Sequence, residues 1–247
     1  MVKNNYKIVL CEGKTDRILI GRYLINKYGV KCENDRKEEL TFQIKYENDF
    51  YTKETDKIFV VQANSSTELN ACMKYIRKML NYLNNAIVAK IVIVTDHDDA
   101  HSVGFKQAVE EIFIDNRKQR LTIGEASNVK YKNKYDEELT LDLMYILIPE
   151  HEEGALETFL VDVIADDDNK FIIDGLKIFL KNAEKEHSEK YLAERNERTK
   201  ALLSMLLAAM HPNRNKIPFY FLDNIDWTDK EKFNSFFDKI GTMLLDD

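Results

Sequence analysis

Three carboxylates in this chain stand where short apolar runs end, and that placement is the first indication of chemistry. Glu12 closes the run at residues 7–12, Asp96 closes the run at residues 90–96, and Asp98 follows two positions later. In open α/β sheets, ligands bind beyond the carboxyl ends of the strands, so we expect these acids to share one crevice. Crowded carboxylates repel one another unless a cation lies between them, and ligand sets made only of oxygen suit Mg²⁺ or Mn²⁺ rather than zinc. The three acids therefore predict a divalent-metal site.

The elements that must position these acids follow from the hydrophobic pattern. Apolar runs at residues 7–12, 57–62 and 90–96 predict buried strands, and amphipathic stretches after each of them predict helices. This alternation is typical of an α/β fold with a parallel sheet and right-handed crossovers. The elements expected outside this alternation are strands at 40–46, 121–123 and 139–149, and helices at 152–165, 171–210 (broken near His187) and 228–245.

We therefore predict a parallel sheet flanked by helices, with a mostly helical C-terminal extension. Residues 1–125 would form the α/β core, and residues 126–247 would add strands and helices that pack on it as one compact unit. Glycine (8) and proline (3) are scarce, which excludes collagen-like and linker-dominated architectures.

The residues after the first and third strands resemble the toprim signature. The sequence VLCEGKTD, with Glu12, is followed about eighty residues later by IVTDHD, with Asp96 and Asp98. This order of a Glu and then an Asp-x-Asp is shared by topoisomerases, bacterial primases and OLD-type nucleases. In the second half, residues 145–160 and the helix that bears Lys200 are similar to segments of small stand-alone toprim proteins. The resemblance implies a toprim-like fold.

The resemblance also implies roles for individual residues. Glu12 would act as a general acid/base or metal ligand, and Asp96 and Asp98 would hold the Mg²⁺ or Mn²⁺. Glu157 would complete a second metal position, and Lys200 would stabilise charge on the transferring phosphate. Phosphodiester hydrolysis needs an activated water and stabilised phosphate oxygens, which one or two such ions supply.

Three further residues would support this site. Gly13 would let the backbone turn tightly beside the phosphate. Asp16 and Asp99 would lie behind the metal ligands or cap the helices that follow them.

Other interpretations of the same residues stay open. Acids at strand ends also serve as helix N-caps, and Glu157 and Lys200 would be ordinary on a solvated helix face. His97 and His101 could join a mixed metal site, although alternation along an extended chain points His97 away from the acids. A P-loop is excluded because Ile8 stands where its first glycine is needed, so any ATPase would be a separate partner.

Charge limits how nucleic acid could bind. The chain has 36 Lys and Arg against 43 Asp and Glu, a net charge of −7, which excludes a non-specific grip over the whole surface. Backbone contacts would come from local basic clusters, which are Arg117/Lys118/Arg120, Lys130/Lys132/Lys134 and Arg195/Arg198/Lys200. We expect the first two clusters to flank the crevice.

The remaining composition indicates a cytoplasmic protein. The three cysteines form no CxxC motif, and the N-terminal residues lack the apolar core of a signal peptide. No apolar stretch approaches the roughly 20 residues of a membrane span. Leucine-rich stretches of the long C-terminal helices would form core or the surface of a homodimer.

These observations predict a Mg²⁺- or Mn²⁺-dependent toprim nuclease that hydrolyses phosphodiester bonds in DNA. By analogy with stand-alone toprim nucleases, its setting would be anti-phage defence or DNA repair. The alternative is a module that binds metal and nucleotide or nucleic acid without hydrolysis, as a subunit of a larger complex with a separate ATPase. A structural α/β protein without a site would require the acid placement to be a coincidence.

Overall fold

The computed structural model describes residues 5–35, 44–81, 87–97, 99–115, 118–165, 169–187, 195–210 and 227–246. The strands in these ranges are β1 (Asn5–Cys11), β2 (Lys31–Cys32), β3 (Asn48–Lys53), β4 (Asp56–Gln62), β5 (Ile87–Asp96), β6 (Ala126–Lys132) and β7 (Glu138–Ile148). The helices are α1 (Lys14–Tyr28), α2 (Ser66–Leu80), α3 (Asp99–Phe113), α4 (Leu156–Ile164), α5 (Lys170–His187), α6 (Arg195–Met210) and α7 (Glu231–Leu245).

All seven strands form one sheet in the order β2-β3-β4-β1-β5-β7-β6. The four central strands β4, β1, β5 and β7 run parallel, as expected for strands joined through helices. The outer strands β2, β3 and β6 are antiparallel to their neighbours, because turns too short for a crossover join β3 to β4 and β6 to β7. The predicted α/β fold with flanking helices is confirmed, and its sheet is mixed.

Helices cover both faces of the sheet. The alternation of side chains along β1 sends Val9 and Cys11 to one face and Ile8 and Leu10 to the other. Helices α1, α4, α6 and α7 pack on the first face, whereas α2 and α3 pack on the second. Each central strand is therefore buried on both sides, which explains why the strands appear in the sequence as continuous apolar runs.

The second half of the chain is built into the same sheet and the same core as the first. Strands β6 and β7 extend the sheet beyond β5, and α7 packs against α1 through the aromatic residues Tyr23, Phe233 and Phe237. The predicted boundary near residue 125 thus falls just before β6, inside the connection between α3 and the last hairpin. No helix in the described ranges is both long enough and apolar enough to cross a bilayer.

Two strands outside the parallel core differ from the prediction. A strand was expected at 40–46, of which 40–43 lie outside the described residues, whereas the observed strand is Asn48–Lys53, paired with β4. Lys130, Lys132 and Lys134 were expected in a basic turn between two strands, yet residues 126–132 form β6, with Val129 and Tyr131 buried. Polar residues obscured both strands in the sequence, because only Phe50 and Tyr51 of β3 are buried and the alternate residues of β6 face solvent.

Candidate functional site

A cavity of about 580 Å³ lies at the carboxyl edge of the parallel strands. It forms where chain order reverses, since β1 is followed by β4 on one side while β5 lies on its other side. Ligands of doubly wound sheets bind at such a switch point. Six of the eight predicted site residues line this cavity: Glu12, Gly13, Asp16, Asp96, Glu157 and Lys200.

Glu12 and Asp96 meet because their strands are neighbours in the sheet. Cys11 at the end of β1 pairs with Val94 of β5, so the two acids emerge side by side. The backbone N–H of Asp96 donates a hydrogen bond of 3.3 Å to Oε1 of Glu12. The strand ends therefore set the spacing of these two carboxylates.

Asp96 also fixes the start of α4. Its Oδ1 accepts a hydrogen bond of 3.1 Å from the backbone N–H of Leu156 in the first turn of that helix. The adjoining backbone is held by a bond of 2.7 Å from the Gly154 N–H to the His97 carbonyl. This docking brings Glu157 of α4 to the cavity that Glu12 and Asp96 line.

Gly13 and Asp16 form the turn between β1 and α1. Gly13 is the N-cap of α1, and its N–H donates a hydrogen bond of 3.0 Å to Oδ2 of Asp16. A Cβ atom at position 13 would lie 2.6 Å from that oxygen, so only glycine fits without displacing Asp16. Asp16 thus caps the helix, as predicted, and also lines the cavity.

Three helices begin at the cavity. Residues at the starts of α1, α2 and α4 line it, namely Lys14, Ser65 and Leu156. Helix N-termini carry partial positive charge and free N–H groups, which favour anions. Lys200 of α6 adds a full positive charge on the same lining. The site therefore combines carboxylates suited to a cation with groups suited to a phosphate.

Burial and mutual repulsion raise the pKa values of two acids that line the cavity. Burial raises the pKa of Asp96 to about 8, and the charges of Asp16, Glu12 and Glu157 add to the increase. The pKa of Asp16 rises to about 7, again chiefly through burial and then through the charges of Glu12 and Glu157. Near neutral pH these two carboxyl groups would hold protons unless a positive ion took the place of the protons.

This donor chemistry fits a hard divalent cation. Every candidate ligand is a carboxylate oxygen, which Mg²⁺ and Mn²⁺ prefer, and a cation would relieve the repulsion that raises the two pKa values. Within the part of the chain that the structure describes, no three His, Cys, Asp or Glu side chains are grouped closely enough to hold a metal ion. Glu12, Asp96 and Glu157 line one cavity, but a shared ion would require them to move closer together.

Two predicted residues cannot be placed by their side chains. Asp98 lies outside the described residues, and Asp99 is described only as the first backbone position of α3. His97 does not line the cavity, and its Nδ1 lies 3.0 Å from the carbonyl oxygen of Pro149. A mixed site containing His97 is therefore not supported, and the side chain of His101 is not described.

The expectation that basic clusters flank the crevice is wrong for the turn between β6 and β7. Lys90 of β5 pairs with Asp142, whereas Asp96 at the other end pairs with Ile148, so the turn lies at the opposite edge of the sheet from the cavity. The turn residue Lys132 is paired with Asp136 at 2.7 Å. Lys130 is likewise paired with Glu138.

Residues of the other two basic clusters also form ion pairs with acids. Arg120 lies 3.7 Å from Glu110, about three helical turns from the start of α3, and Arg198 pairs with Glu184. Arg117 lies outside the described residues, and the side chain of Arg195 is not described. Of the three clusters, only the last contributes a described cavity residue, which is Lys200.

Sequence reasoning missed Asn64 and Ser65 as cavity residues. Ser65 does cap α2, accepting a bond of 3.2 Å from the Glu68 N–H, and both Asn64 and Ser65 line the cavity. Asn64 has φ of 72°, a left-handed conformation that asparagine tolerates better than most residues. The available signal was their place after the second apolar run, the same position that marked Glu12 and Asp96.

Comparison with known proteins identifies a family and a fold. The sequence profile of a family described as a protein of unknown function (DUF3226) matches residues 6–242. A search of curated proteins found no significant match. The crystal structure of a hypothetical protein from Pyrococcus horikoshii OT3 has a TM-score of 0.56 at 16% identity, covering 97% of this chain and 96% of that one, which shows a shared fold.

Two further solved structures are similar over part of the chain only. Lactoylglutathione lyase from Agrobacterium tumefaciens has a TM-score of 0.19 at 8% identity, covering 58% of this chain and 94% of that one. The fosfomycin resistance protein FosX from Listeria monocytogenes has a TM-score of 0.18 at 10% identity, covering 58% and 92%. Scores this low carry no argument about this fold.

The raised pKa values of Asp16 and Asp96 predict that the free energy of unfolding depends on pH when divalent cations are absent. The folded protein binds more protons than the unfolded chain between about pH 4 and pH 8, because the folded pKa values of Asp16 and Asp96 exceed 3.8. The free energy of unfolding should therefore fall as the pH rises through this range, by up to about 1.4 kcal/mol per pH unit for each group. Urea unfolding in EDTA at pH 5 and pH 8 measures this change.

Asp96→Asn should make that dependence shallower, whereas Asp136→Asn, at an exposed turn position, should leave it unchanged. An equal fall in the wild type and in Asp96→Asn would show that this carboxyl is not its source.

Proposed function

The chain belongs to the DUF3226 family of proteins of unknown function, and we propose that it is a Mg²⁺- or Mn²⁺-dependent toprim nuclease that hydrolyses phosphodiester bonds in DNA. One observation carries the proposal. Glu157 and Lys200, which lie far from the toprim-like motifs in sequence, line the same cavity as Glu12 and Asp96. A chance arrangement of capping acids would not require a helix from the far end of the chain to bring a lysine to them.

The residues divide the work of hydrolysis among them. Glu12 is the candidate to accept a proton from the attacking water, since it lies beside Asp96 at the centre of the strand edge. Lys200 would stabilise negative charge that develops on the phosphate oxygens. A divalent cation, when bound, would polarise the phosphate and lower the pKa of the water.

The surrounding backbone would orient the phosphate. The turn at Gly13 lets the main chain approach closely, because the position has no side chain. The N-termini of α1, α2 and α4 would attract the phosphate oxygens and hold them beside the carboxylates. These groups are already in place, so little reorganisation would accompany binding.

Cleavage assays on supercoiled plasmid test the two strand-end acids. The wild type should nick DNA in the presence of Mg²⁺ or Mn²⁺, and EDTA should abolish the activity. Glu12→Gln and Asp96→Asn should each lower the rate by about 100-fold or more, because each removes a charge from the reacting centre. Circular dichroism should confirm that both variants fold. Cleavage at the wild-type rate in both variants would refute the assignment.

A pair of lysine variants distinguishes a role of Lys200 in the site from a general effect of removing a positive charge. Lys200→Met should lower kcat by about 10- to 100-fold, because it removes charge stabilisation of the transition state. Lys132→Met removes the same charge at the opposite edge of the sheet and should leave kcat and KM unchanged. Steady-state cleavage of a labelled oligonucleotide measures both, and equal effects of the two substitutions would argue against a role for Lys200.

The alternative function is binding without hydrolysis, within a complex that includes a separate ATPase. It is favoured by the pairing of Lys130, Lys132, Arg120 and Arg198 with acids, because these four residues of the predicted basic clusters are then less able to hold DNA phosphates by this chain alone. Metal-dependent binding of oligonucleotides with no product, at enzyme concentrations near those of the substrate, would support this alternative.

We expect helix α5 to pack against the α5 helix of a second copy of the chain. Phe171, Ile178 and Phe179 lie on one side of this helix and are 74%, 62% and 58% exposed. Asp174 and Lys181 flank this stripe on one side, seven residues apart. In an antiparallel pair of α5 helices, each Asp174 would face the Lys181 of the other copy, so the surface is complementary to itself.

Light scattering coupled to size-exclusion chromatography tests this dimer. The wild type should elute with twice the mass of one 29.0 kDa chain. Phe179→Glu should convert it to a monomer, because it places a charge in the apolar stripe. Lys177→Glu, at an exposed position of the same helix that points away from the stripe, is the matched control. A wild-type monomer at 100 µM would contradict the proposal.

A further inference from the structure

His97 holds the chain that leads from β7 to α4, residues 149–155, at both of its ends. Among the described residues, three hydrogen bonds carry this contact. The backbone N–H of His97 donates to the carbonyl of Ile148 over 3.0 Å, and its carbonyl accepts from the N–H of Gly154 over 2.7 Å. The third bond, of 3.0 Å, joins Nδ1 of the imidazole to the carbonyl oxygen of Pro149.

The bond from the imidazole is the one that depends on the side chain at position 97. A carbonyl oxygen only accepts hydrogen bonds, so Nδ1 must carry the hydrogen that lies between His97 and Pro149. The two backbone bonds could form with other residues at this position, whereas the third requires a side-chain donor where Nδ1 lies. His97 does not line the cavity, so this bond acts on the segment 149–155 and not on a bound substrate.

The same segment determines where α4 begins, and α4 carries Glu157. Gly154 lies three residues before Glu157, and the first residue of α4, Leu156, donates its N–H to Oδ1 of Asp96 over 3.1 Å. Glu157 lines the cavity together with Asp96. The separation of these two carboxylates therefore depends on how the segment is fixed to the end of β5, which is where His97 lies.

The segment is folded tightly enough to transmit a displacement from one end to the other. A Cβ atom at Gly154 would lie 3.0 Å from Cδ of Pro149 and 2.9 Å from Oγ1 of Thr158. The start of the segment thus packs beside its end and beside the first turn of α4. A change at the carbonyl of Pro149 would consequently move that turn instead of being absorbed by a loose loop.

We propose that His97 is a positioning residue for the candidate metal site, whose Nδ1–H holds the Pro149 carbonyl and thereby sets the separation between Glu157 and Asp96. This inference rests on the proposed nuclease function and gives His97 a role without contact to metal or substrate. A shared ion requires the carboxylates to move closer together, so the contact that fixes α4 determines the separation from which they start. Groups that orient the ligands of a metal site in this way affect metal affinity or activity by about 10- to 100-fold.

The affinity for Mn²⁺, measured by electron paramagnetic resonance of the free ion, tests the role without turnover. His97→Ala should raise the Kd about 10-fold. His97→Asn should stay within about twofold of the wild type, because its amide nitrogen is attached at the same distance from the backbone as Nδ1 and also donates. His151→Ala is the matched control, since this histidine belongs to the same segment and its side chain is 89% exposed. Equal Kd values for His97→Ala and the wild type would overturn the inference.

Combination with a second substitution shows whether His97 acts through Glu157. In the Glu157→Gln background, His97→Ala should change the Kd for Mn²⁺ by less than about twofold, because the carboxylate that His97 positions is already gone. A 10-fold change in both backgrounds would show that His97 acts elsewhere and would overturn the inference. Should His97→Ala not fold by circular dichroism, His97→Phe makes the same comparisons, because it keeps a ring and lacks the donor.

Amide hydrogen exchange separates this inference from the nuclease proposal. The N–H groups of Gly154 and Leu156 should exchange at least 10-fold faster in His97→Ala than in the wild type, and at the wild-type rate in His151→Ala. Unchanged exchange in His97→Ala would overturn the inference alone, whatever the protein binds or cleaves. A wild type that neither binds Mn²⁺ nor cleaves DNA would refute the nuclease proposal, and the role of His97 would fall with it.

Discussion

Four carboxylates, those of Glu12, Asp16, Asp96 and Glu157, share a cavity in which burial removes much of the water that would solvate their charges. Their mutual repulsion is an energetic cost, visible in the raised pKa values of Asp16 and Asp96. The fold offsets part of it through backbone N–H groups that donate to three of these acids. Hydrogen bonds of this kind favour the ionised form but do not cancel the repulsion. A proton on Asp16 or Asp96 relieves the remaining repulsion, and a divalent cation would relieve it in the same way.

The sheet topology explains why the acids converge, and it was the most predictable part of the molecule. Buried parallel strands must be apolar throughout, so the polar residue that ends each run marks the edge of the sheet. That rule located Glu12 and Asp96 from the sequence. It failed for β3 and β6, because these strands are only partly buried and exposed residues such as Lys130 interrupt the apolar run. Partly buried strands therefore look like loops when continuous apolar runs are the only guide.

The rest of the cavity could not be derived from local patterns. Glu157 and Lys200 sit on helices whose arrival at the strand edge depends on tertiary packing, and only the family resemblance suggested them. Asn64 followed a recognised strand, yet its polar neighbours looked like an ordinary cap. The basic turn containing Lys132 was placed at the wrong edge, because strand direction after a hairpin depends on which partner the second strand joins. Each failure concerns a long-range pairing that no window of sequence contains.

The acidity of the chain and the composition of the cavity lead to the same conclusion about how a polyanion would be held. A net charge of −7 repels nucleic acid at long range, and Lys130 and Lys132 of one predicted basic cluster are paired with acids. Attraction is then concentrated at one point, where helix N-termini, Lys14 and Lys200 meet the carboxylates and any cation they bind.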